Sequence, residues 1–355
     1  MTLKAPFIWF GGKSKVAPLV WRRFGDVDNA VDPFCGSLAF ILGRPRTHSG
    51  RVETVNDKDK YICNFWRALA ADPEQVARYA DWPVNETDLT ARHIWLINEG
   101  RASLDKLEGN PDYYDAKIAG WWVWGINAWI GSGWCSGAGC WNVDADGNIV
   151  NVKNGDGVKR QRPHLGDAGK GVHRKLPHLG DAGQGVNRQL PHLGANVNGQ
   201  GTIKYKNLDS LIAYMQSLAD RLRRVRVCSG DWTRIVTPGA LAYGETVGIF
   251  LDPPYSAEAG RDNGIYNEES LDVAHDVRRW AIANGDNPRY RIALCGYEGE
   301  HELPDDWNTV EWKAGAAYQS SNGSNGNGKN AANRHRERLY FSPYCLNEQP
   351  ALITL

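Results

Sequence analysis

The feature that most constrains the fold is a series of short apolar segments that each stop at an acidic residue or a glycine turn. VGIFL runs directly into Asp252, NAVDPF leads into a turn at Gly36, and RVETVND ends at Asp57. A short apolar run bounded by turn residues is typical of a strand buried on both faces of a parallel sheet. Residues 60–69 carry apolar side chains at helical spacing. The sequence therefore predicts an α/β protein built from alternating strands and helices.

Composition excludes several classes of protein. The chain has 355 residues, which is enough for about two domains. Its 41 basic and 41 acidic side chains cancel, so the protein is not uniformly basic. We expect neither a membrane span nor a signal peptide, since no stretch supplies the ~20 apolar residues that cross a bilayer. The seven cysteines form no CxxC pair, which favours reduced thiols and a cytoplasmic location.

Composition and the pattern of predicted strands and helices divide the chain into residues 1–81, 82–206 and 207–355. The first and third segments alternate strands and helices, whereas the second carries a tryptophan-rich helical stretch from Tyr113 to Ile130 and then GSGWCSGAGCW. We expect those tryptophans in the core rather than on a base-stacking surface. The tetrapeptide PHLG then recurs every 14 residues, at Pro163, Pro177 and Pro191. Its proline and glycine content excludes a helix, so the repeats are predicted to form an extended or loop-like insertion.

Two glycine-containing motifs near the start of the chain are suited to bind a small ligand. Trp9 is followed by Gly11, Gly12 and Lys13, where the glycines let backbone N–H groups approach an anion and the lysine adds a donor. The segment DPFCGS, at 32–37, ends a strand in a glycine turn before a helical run. A strand, a glycine turn and a helix make a small-molecule site at the carboxyl edge of a sheet.

Two acidic residues end other strand segments. Asp57 lies about 20 residues beyond Gly36, an offset suited to accept hydrogen bonds from ribose hydroxyls. Asp252 opens the motif DPPY directly after a buried strand. Each motif alone is weak evidence, because glycine turns, capping acids and packed aromatics are common. All four in this order, each at a strand end or tight turn, indicate a ligand site at one sheet edge.

In these motifs and their order the chain resembles the Dam-type (D12 class) DNA adenine-N6 methyltransferases. The matching segments are PFIWFGGK at 6–13, DPFCGS at 32–37, ND at 56–57 and DPPY at 252–255, and the resemblance covers residues 4–80 and 207–343. It implies a Rossmann-like, S-adenosylmethionine-dependent methyltransferase sheet with an inserted target-recognition region at 82–206. The family's glycine-rich DNA-contacting turn often carries an arginine. GSGWCSGAGCWN has none, so no base-reading contact is carried over.

The resemblance implies S-adenosyl-L-methionine as the methyl donor. Asp57 would hold its ribose hydroxyls, Gly36 would let it approach the sheet edge, and Trp9 and Lys13 would line its methionine end. Asp231, in SGDW, either contacts the cofactor adenine or is a turn residue at a strand end, and both alternatives stay open. The expected cofactor contacts are Trp9, Gly11, Gly12, Lys13, Asp32, Phe34, Gly36, Ser37, Asp57, Asp231 and Asp252.

The chemistry of the acceptor accounts for DPPY. The exocyclic amine of adenine is a poor nucleophile, because its lone pair is delocalised into the ring. The Asp252 carboxylate would accept one N–H and the Pro253 carbonyl the other, which aims the nitrogen lone pair at the methyl group. Pro254 helps to fix the backbone, and Tyr255 offers a stacking face. The base must leave the duplex to reach these catalytic residues, so base flipping is implied.

Basic residues are concentrated in the insertion. Between Lys153 and Lys206, ten basic and three acidic side chains give a charge of +7. We expect this segment to contact the phosphates of double-stranded DNA, and the alternative is a solvated low-complexity loop. The expected DNA contacts are Lys159, Arg160, Arg162, Arg174, Lys175 and Arg188. No metal site is expected, since the repeated histidines have no second ligand nearby. A monomer or a weak dimer is expected.

The leading hypothesis is a site-specific enzyme that methylates the N6 amine of adenine in double-stranded DNA. Methylation of cytosine N4 uses the same amine chemistry, but the aspartate that opens DPPY favours adenine. A non-catalytic DNA-binding regulator on the same fold is an alternative from another class, against which the intact Asp57, Asp252 and Tyr255 argue. An RNA substrate is a third alternative.

Overall fold

The computed structural model describes residues 3–7, 9, 13–45, 50–129, 134–135, 141–143, 149–151, 207–254, 273–312 and 337–347. The PHLG repeats, the six candidate DNA contacts, Gly11, Gly12 and Tyr255 lie outside these residues. Within them, no helix has the length and apolar character needed to cross a lipid bilayer.

Strands and helices mostly alternate over residues 17–71 and 208–297, as the sequence predicts, whereas residues 73–128 are described as a run of helices. The helices are α1 (Ala17–Phe24), α2 (Ala39–Leu42), α3 (Lys60–Ala71), α4 (Pro73–Ala80), α5 (Glu86–Trp95), α6 (Arg101–Leu104), α7 (Lys106–Gly109), α8 (Ala116–Ala128), α9 (Leu208–Leu222) and α10 (Val273–Gly285). The strands are β1 (Asn29–Asp32), β2 (Val52–Asp57), β3 (Trp141–Val143), β4 (Ile149–Asn151), β5 (Val225–Ser229), β6 (Val247–Leu251), β7 (Tyr290–Tyr297), β8 (Asn308–Glu311) and β9 (Glu337–Phe341). A π-helical turn (Leu96–Gly100) precedes α6, and a 3₁₀ turn (Trp232–Ile235) follows β5.

Seven of the described strands form one sheet in the order β5-β2-β1-β6-β7-β9-β8. The first five are parallel, β9 is antiparallel to β7, and β8 is antiparallel to β9. β3 and β4 form a separate antiparallel pair. This mostly parallel arrangement confirms the predicted α/β class and is compatible with a Rossmann-like fold.

The central strands are buried, and their side chains alternate between two core clusters. Every residue of β1 and β6 is buried. Ile249 and Leu251 pack into one cluster together with residues of α10, whereas Phe250, Ala293 and Cys295 pack into the other. Because successive strand residues point to opposite faces, Asp252 continues the Phe250 face of β6.

The helices between residues 82 and 129 extend the cluster that contains Phe250. The sequence predicts one helix here, from Tyr113 to Ile130, and α8 occupies most of that range. Trp122 and Trp124 of α8 are fully buried, which confirms the prediction that they belong to the core. Asp115 is the N-cap of α8, and its side chain accepts a hydrogen bond from the Ile118 backbone N–H at 2.8 Å.

Candidate functional site

Three strand ends bring acidic side chains to one edge of the sheet. β1 lies between β2 and β6, and all three strands are parallel. Asp32 ends β1, Asp57 ends β2, and Asp252 follows β6. The strand order reverses between β1 and β6, and ligands of open α/β sheets bind at the carboxyl end of such a switch point.

A cavity opens at this switch point. It encloses about 280 Å³ of empty volume, part of which is open to solvent. Six of the predicted site residues line it, namely Trp9, Lys13, Asp32, Phe34, Ser37 and Asp252. Its remaining lining residues are Cys35, Ala39, Phe40 and Phe250. Residues predicted from separate motifs are thus brought together in one place.

The turn after β1 depends on Gly36. Its φ of +44° lies in the left-handed region, and a Cβ atom there would lie 2.6 Å from Cδ1 of Trp9. Leu38, two residues later, also has a positive φ of 59°, which is uncommon for a non-glycine residue. The turn is closed by the Leu38 N–H, which donates to the Cys35 carbonyl at 2.7 Å. The indole of Trp9 can therefore lie directly on the backbone of the turn.

Asp57 connects β2 to this turn. Its Oδ2 accepts from the Gly36 N–H and its Oδ1 from the Asp59 N–H, both at 2.9 Å. Burial raises the pKa of Asp57 to about 6, and the backbone N–H donors partly oppose that shift. The Lys58 N–H also acts on this carboxylate, so of its about four lone-pair sites at least one remains as an acceptor position for a ligand.

Asp231 lies at the same sheet edge, but its visible role is local. Its side chain accepts from the Thr233 N–H at 3.0 Å and caps the 3₁₀ turn. The side chain is exposed, and contact with a cofactor stays a prediction. Its neighbour Trp232 is a residue that the sequence analysis missed. The Trp232 ring lies 6.1 Å from that of Phe34, and the aromatic residue directly after a strand-end acid was the available signal.

Lys13 binds the carboxylate of the DPPY motif. Its Nζ lies 2.8 Å from Oδ1 of Asp252, with side chains only 5% and 17% exposed. The ammonium also lies 5.7 Å from the centre of the Trp312 ring. Burial is the largest single influence and would lower the pKa of Lys13, but the charge and hydrogen bond of Asp252 together with Cys295 and Glu337 outweigh it, so the pKa is raised. The resemblance assigns Lys13 to the methionine end of a cofactor, and the structure adds this ion pair to Asp252.

The negative charge of Asp252 also affects the pKa of Asp32. Burial raises the pKa of Asp252, and Lys13 opposes that shift. Burial and the nearby Asp252 charge raise the pKa of Asp32 well above its usual value. When two buried carboxyl groups share a single lysine, one of them tends to keep its proton. The pKa of Asp32 is raised more strongly than that of Asp252, so Asp32 is the one that keeps it.

Pro253 and Pro254 continue from β6 as an irregular segment, with Pro253 buried and Pro254 half-buried.

Cys35 lines the cavity, but burial and the charges of Asp57 and Asp32 raise the pKa of its thiol well above the usual value. A neutral thiol is a poor nucleophile, so covalent catalysis by Cys35 is not indicated. In the described part of the chain, no group of three or more His, Cys, Asp or Glu side chains could hold a metal ion.

No protein-family model matches this chain, and no curated protein matches its sequence. The function therefore has to be inferred from the residues and the geometry of the site.

Proposed function

We propose that this protein is a DNA methyltransferase that transfers a methyl group from S-adenosylmethionine to the N6 amine of a flipped adenine in double-stranded DNA. The observation that carries the proposal is the position of Asp252-Pro253-Pro254. This segment follows the buried central strand β6 at the switch point, and Asp252 lines the cavity together with Asp32 and Phe34.

The strand order supports the proposed fold. Five parallel strands run β5-β2-β1-β6-β7, and the antiparallel β9 lies between β7 and the edge strand β8. This mostly parallel order is compatible with the Rossmann-like sheet that the resemblance implies.

The residues of the cavity fit S-adenosylmethionine. Asp57, which binds the turn that lines the cavity, keeps an acceptor position for a ribose hydroxyl, and Trp9 and Phe34 offer apolar surface in the cavity. At Gly36 a larger residue would collide with Trp9, so the glycine lets the Trp9 indole pack against the turn at the cavity. When bound, the cofactor supplies a methyl group on a positively charged sulfur.

The protein's own contribution to the reaction is positioning. The Asp252 carboxylate would accept one N–H of the adenine amine and the Pro253 carbonyl the other, which aims the nitrogen lone pair away from both acceptors. Lys13 holds Asp252 at 2.8 Å and lowers its pKa against the effect of burial, so the carboxylate stays an acceptor. These groups are in place before the substrate arrives, which is the arrangement that electrostatic catalysis requires.

Double-stranded DNA is proposed as the partner because of the charge of +7 between Lys153 and Lys206. Deletion of residues 162–200 should weaken DNA affinity and flatten its salt dependence, since fewer phosphates would be neutralised. Fluorescence anisotropy at several salt concentrations measures both. An unchanged affinity with an unchanged salt slope would remove this segment from the DNA interface.

The enzymatic proposal is tested with methyl-labelled S-adenosylmethionine and duplex DNA of varied sequence. We expect label in the DNA and N6-methyladenine after digestion to nucleosides. The Asp252→Ala variant should bind the cofactor and transfer no label. If the digest instead contains N4-methylcytosine, the acceptor base is cytosine and not adenine. Cofactor binding without transfer to any duplex would favour the non-catalytic regulator.

A further inference from the structure

Cys295 of β7 lies beside Asp252. In the parallel pair of β6 and β7, Phe250 is level with Ala293 and Leu251 with Leu294. The next level therefore places Asp252 next to Cys295 on the same face of the sheet. The side chain of Cys295 is completely buried, and the Asp252 carboxylate is near enough to raise the pKa of its thiol.

The Cys295 thiol is able to donate a hydrogen bond in this position. Burial and the negative charge of Asp252 raise its pKa well above the usual value, so the sulfur keeps its proton. An S–H is a weak donor, but a donor gains strength when its acceptor is charged. Among the described residues, the other charged groups that act on this cluster are Lys13, which binds Asp252, Asp32 at the end of β1, and Glu337 at the start of β9.

The backbone around Cys295 is held in place by His301. The Nε2 atom of His301 lies 3.1 Å from the Cys295 carbonyl oxygen. A carbonyl can only accept, so Nε2 carries the proton, and burial lowers the pKa of the ring and keeps it neutral. The ring passes over Gly296, where a Cβ atom would lie 2.5 Å from it. On the edge of β7 that faces away from β6, the strand pairs with β9, and Cys295 is level with Leu339.

We propose that Cys295 is a positioning residue for the reaction, which donates its S–H to Asp252 and thereby holds this carboxylate ionised and aimed at the amine. The proposal rests on the proposed methyltransferase function. Lys13 and Cys295 then bind Asp252 from two elements, and the remaining lone pairs of the carboxylate serve the substrate.

The experiment compares Cys295→Ala and Cys295→Ser with the wild-type protein. Cys345→Ala is the matched control, since Cys345 is also buried and its thiol donates to the carbonyl of Ile292 on the same strand, away from Asp252. The titration of Asp252 is followed by NMR of protein labelled with ¹³C at the aspartate carboxyl, and its signal is assigned by its loss in Asp252→Asn. The pH dependence of kcat and the KM for the cofactor are measured in parallel.

We expect the Asp252 midpoint and the acidic limb of the kcat profile to move up by about 0.5 to 1 pH unit in Cys295→Ala, the size of one weak hydrogen bond to a charged group. kcat should fall about tenfold, with an unchanged KM for the cofactor. Serine keeps a donor, so Cys295→Ser should restore the midpoint and most of kcat. Cys345→Ala should leave both unchanged.

The proposal is overturned if the Asp252 midpoint in Cys295→Ala equals that of the wild type, or if alanine and serine lower kcat equally without moving the acidic limb, which is the result that a packing role predicts. The NMR titration needs no turnover. A shifted midpoint in a protein that methylates no DNA would therefore support the contact and contradict the proposed function.

Discussion

The two halves of the sheet edge hold their carboxylates in different ways. On the β1–β2 side, Asp57 is bound by the backbone N–H groups of Gly36 and Asp59. On the β6–β7 side, Asp252 is bound by the ammonium of Lys13. Backbone dipoles fix the geometry of a carboxylate without adding a net charge, whereas a lysine adds a full one. The first half is suited to recognise neutral hydroxyls, and the second keeps a charge where a reaction needs it.

The sharpest contrast between the halves is expected from two isosteric substitutions. Asp252→Asn should lower kcat by roughly 10² to 10³-fold, because it removes an acceptor from the reacting amine. Asp57→Asn should mainly weaken cofactor affinity, because it alters a contact to a part of the ligand that does not react. Single-turnover methyl transfer and calorimetric cofactor binding separate the effects. Equal losses of kcat in both variants would mean that the two halves do not differ in role.

Removal of the lysine should reveal how much the second half depends on its charge pair. Lys13→Met leaves the Asp252 carboxylate buried without its cation, and we expect a loss of about 3 kcal/mol of stability. Lys60→Met is the control, since Lys60 binds the mostly exposed Asp105 and should cost under ~1 kcal/mol. Urea denaturation measures both. Adding Asp252→Asn to Lys13→Met should recover stability without activity, and no recovery would show that the two residues are not coupled.

The pH should act on the first half of the sheet edge through Asp57. Burial raises the pKa of Asp57 to about 6, so below that pH its carboxyl holds a proton and accepts less well. Cofactor affinity should fall by up to ~10-fold per pH unit below 6, and Asp57→Asn should flatten this dependence. The same shift affects folding in the opposite sense. The contribution of this group to stability is present below the usual carboxyl pKa and is lost as the pH rises through about 6.

The smallest effect is expected at the turn that supports the first half. Gly36→Ala combines a positive φ with a collision against Trp9, and should cost about 1–2 kcal/mol and weaken cofactor binding a few-fold. Gly50→Ala is the matched control, because Gly50 also has a positive φ of +87° but open space around it. The difference between the two variants in thermal denaturation isolates the contact with Trp9. If both lose the same stability and Gly36→Ala binds the cofactor normally, the contact is not part of the site.

The sequence predicts the strands and acids of this site well because their signals are local. Each signal is recognised within about ten residues of the chain, namely an apolar run followed by Asp252 and a glycine turn after Asp32. α4 to α7 escaped prediction because they are short and only partly apolar. The strand β8 was missed because most of its residues are exposed.

The partners within the site could not be predicted in the same way. Lys13 and Asp252 are far apart in the chain, and only the tertiary fold brings the Lys13 ammonium to Asp252. Cys295 reaches Asp252 through the register of β6 and β7, and no local pattern specifies a register between strands joined by a long connection. Motifs therefore indicate which residues matter, and tertiary structure determines which of them meet.

The most direct test of the account is a crystal structure of the protein with S-adenosylmethionine bound. We predict the ribose hydroxyls on Asp57, and the methyl group directed towards Asp252 and the Pro253 carbonyl with room for a nucleobase between them. A cofactor bound elsewhere, or with its methyl group directed away from Asp252, would contradict the account.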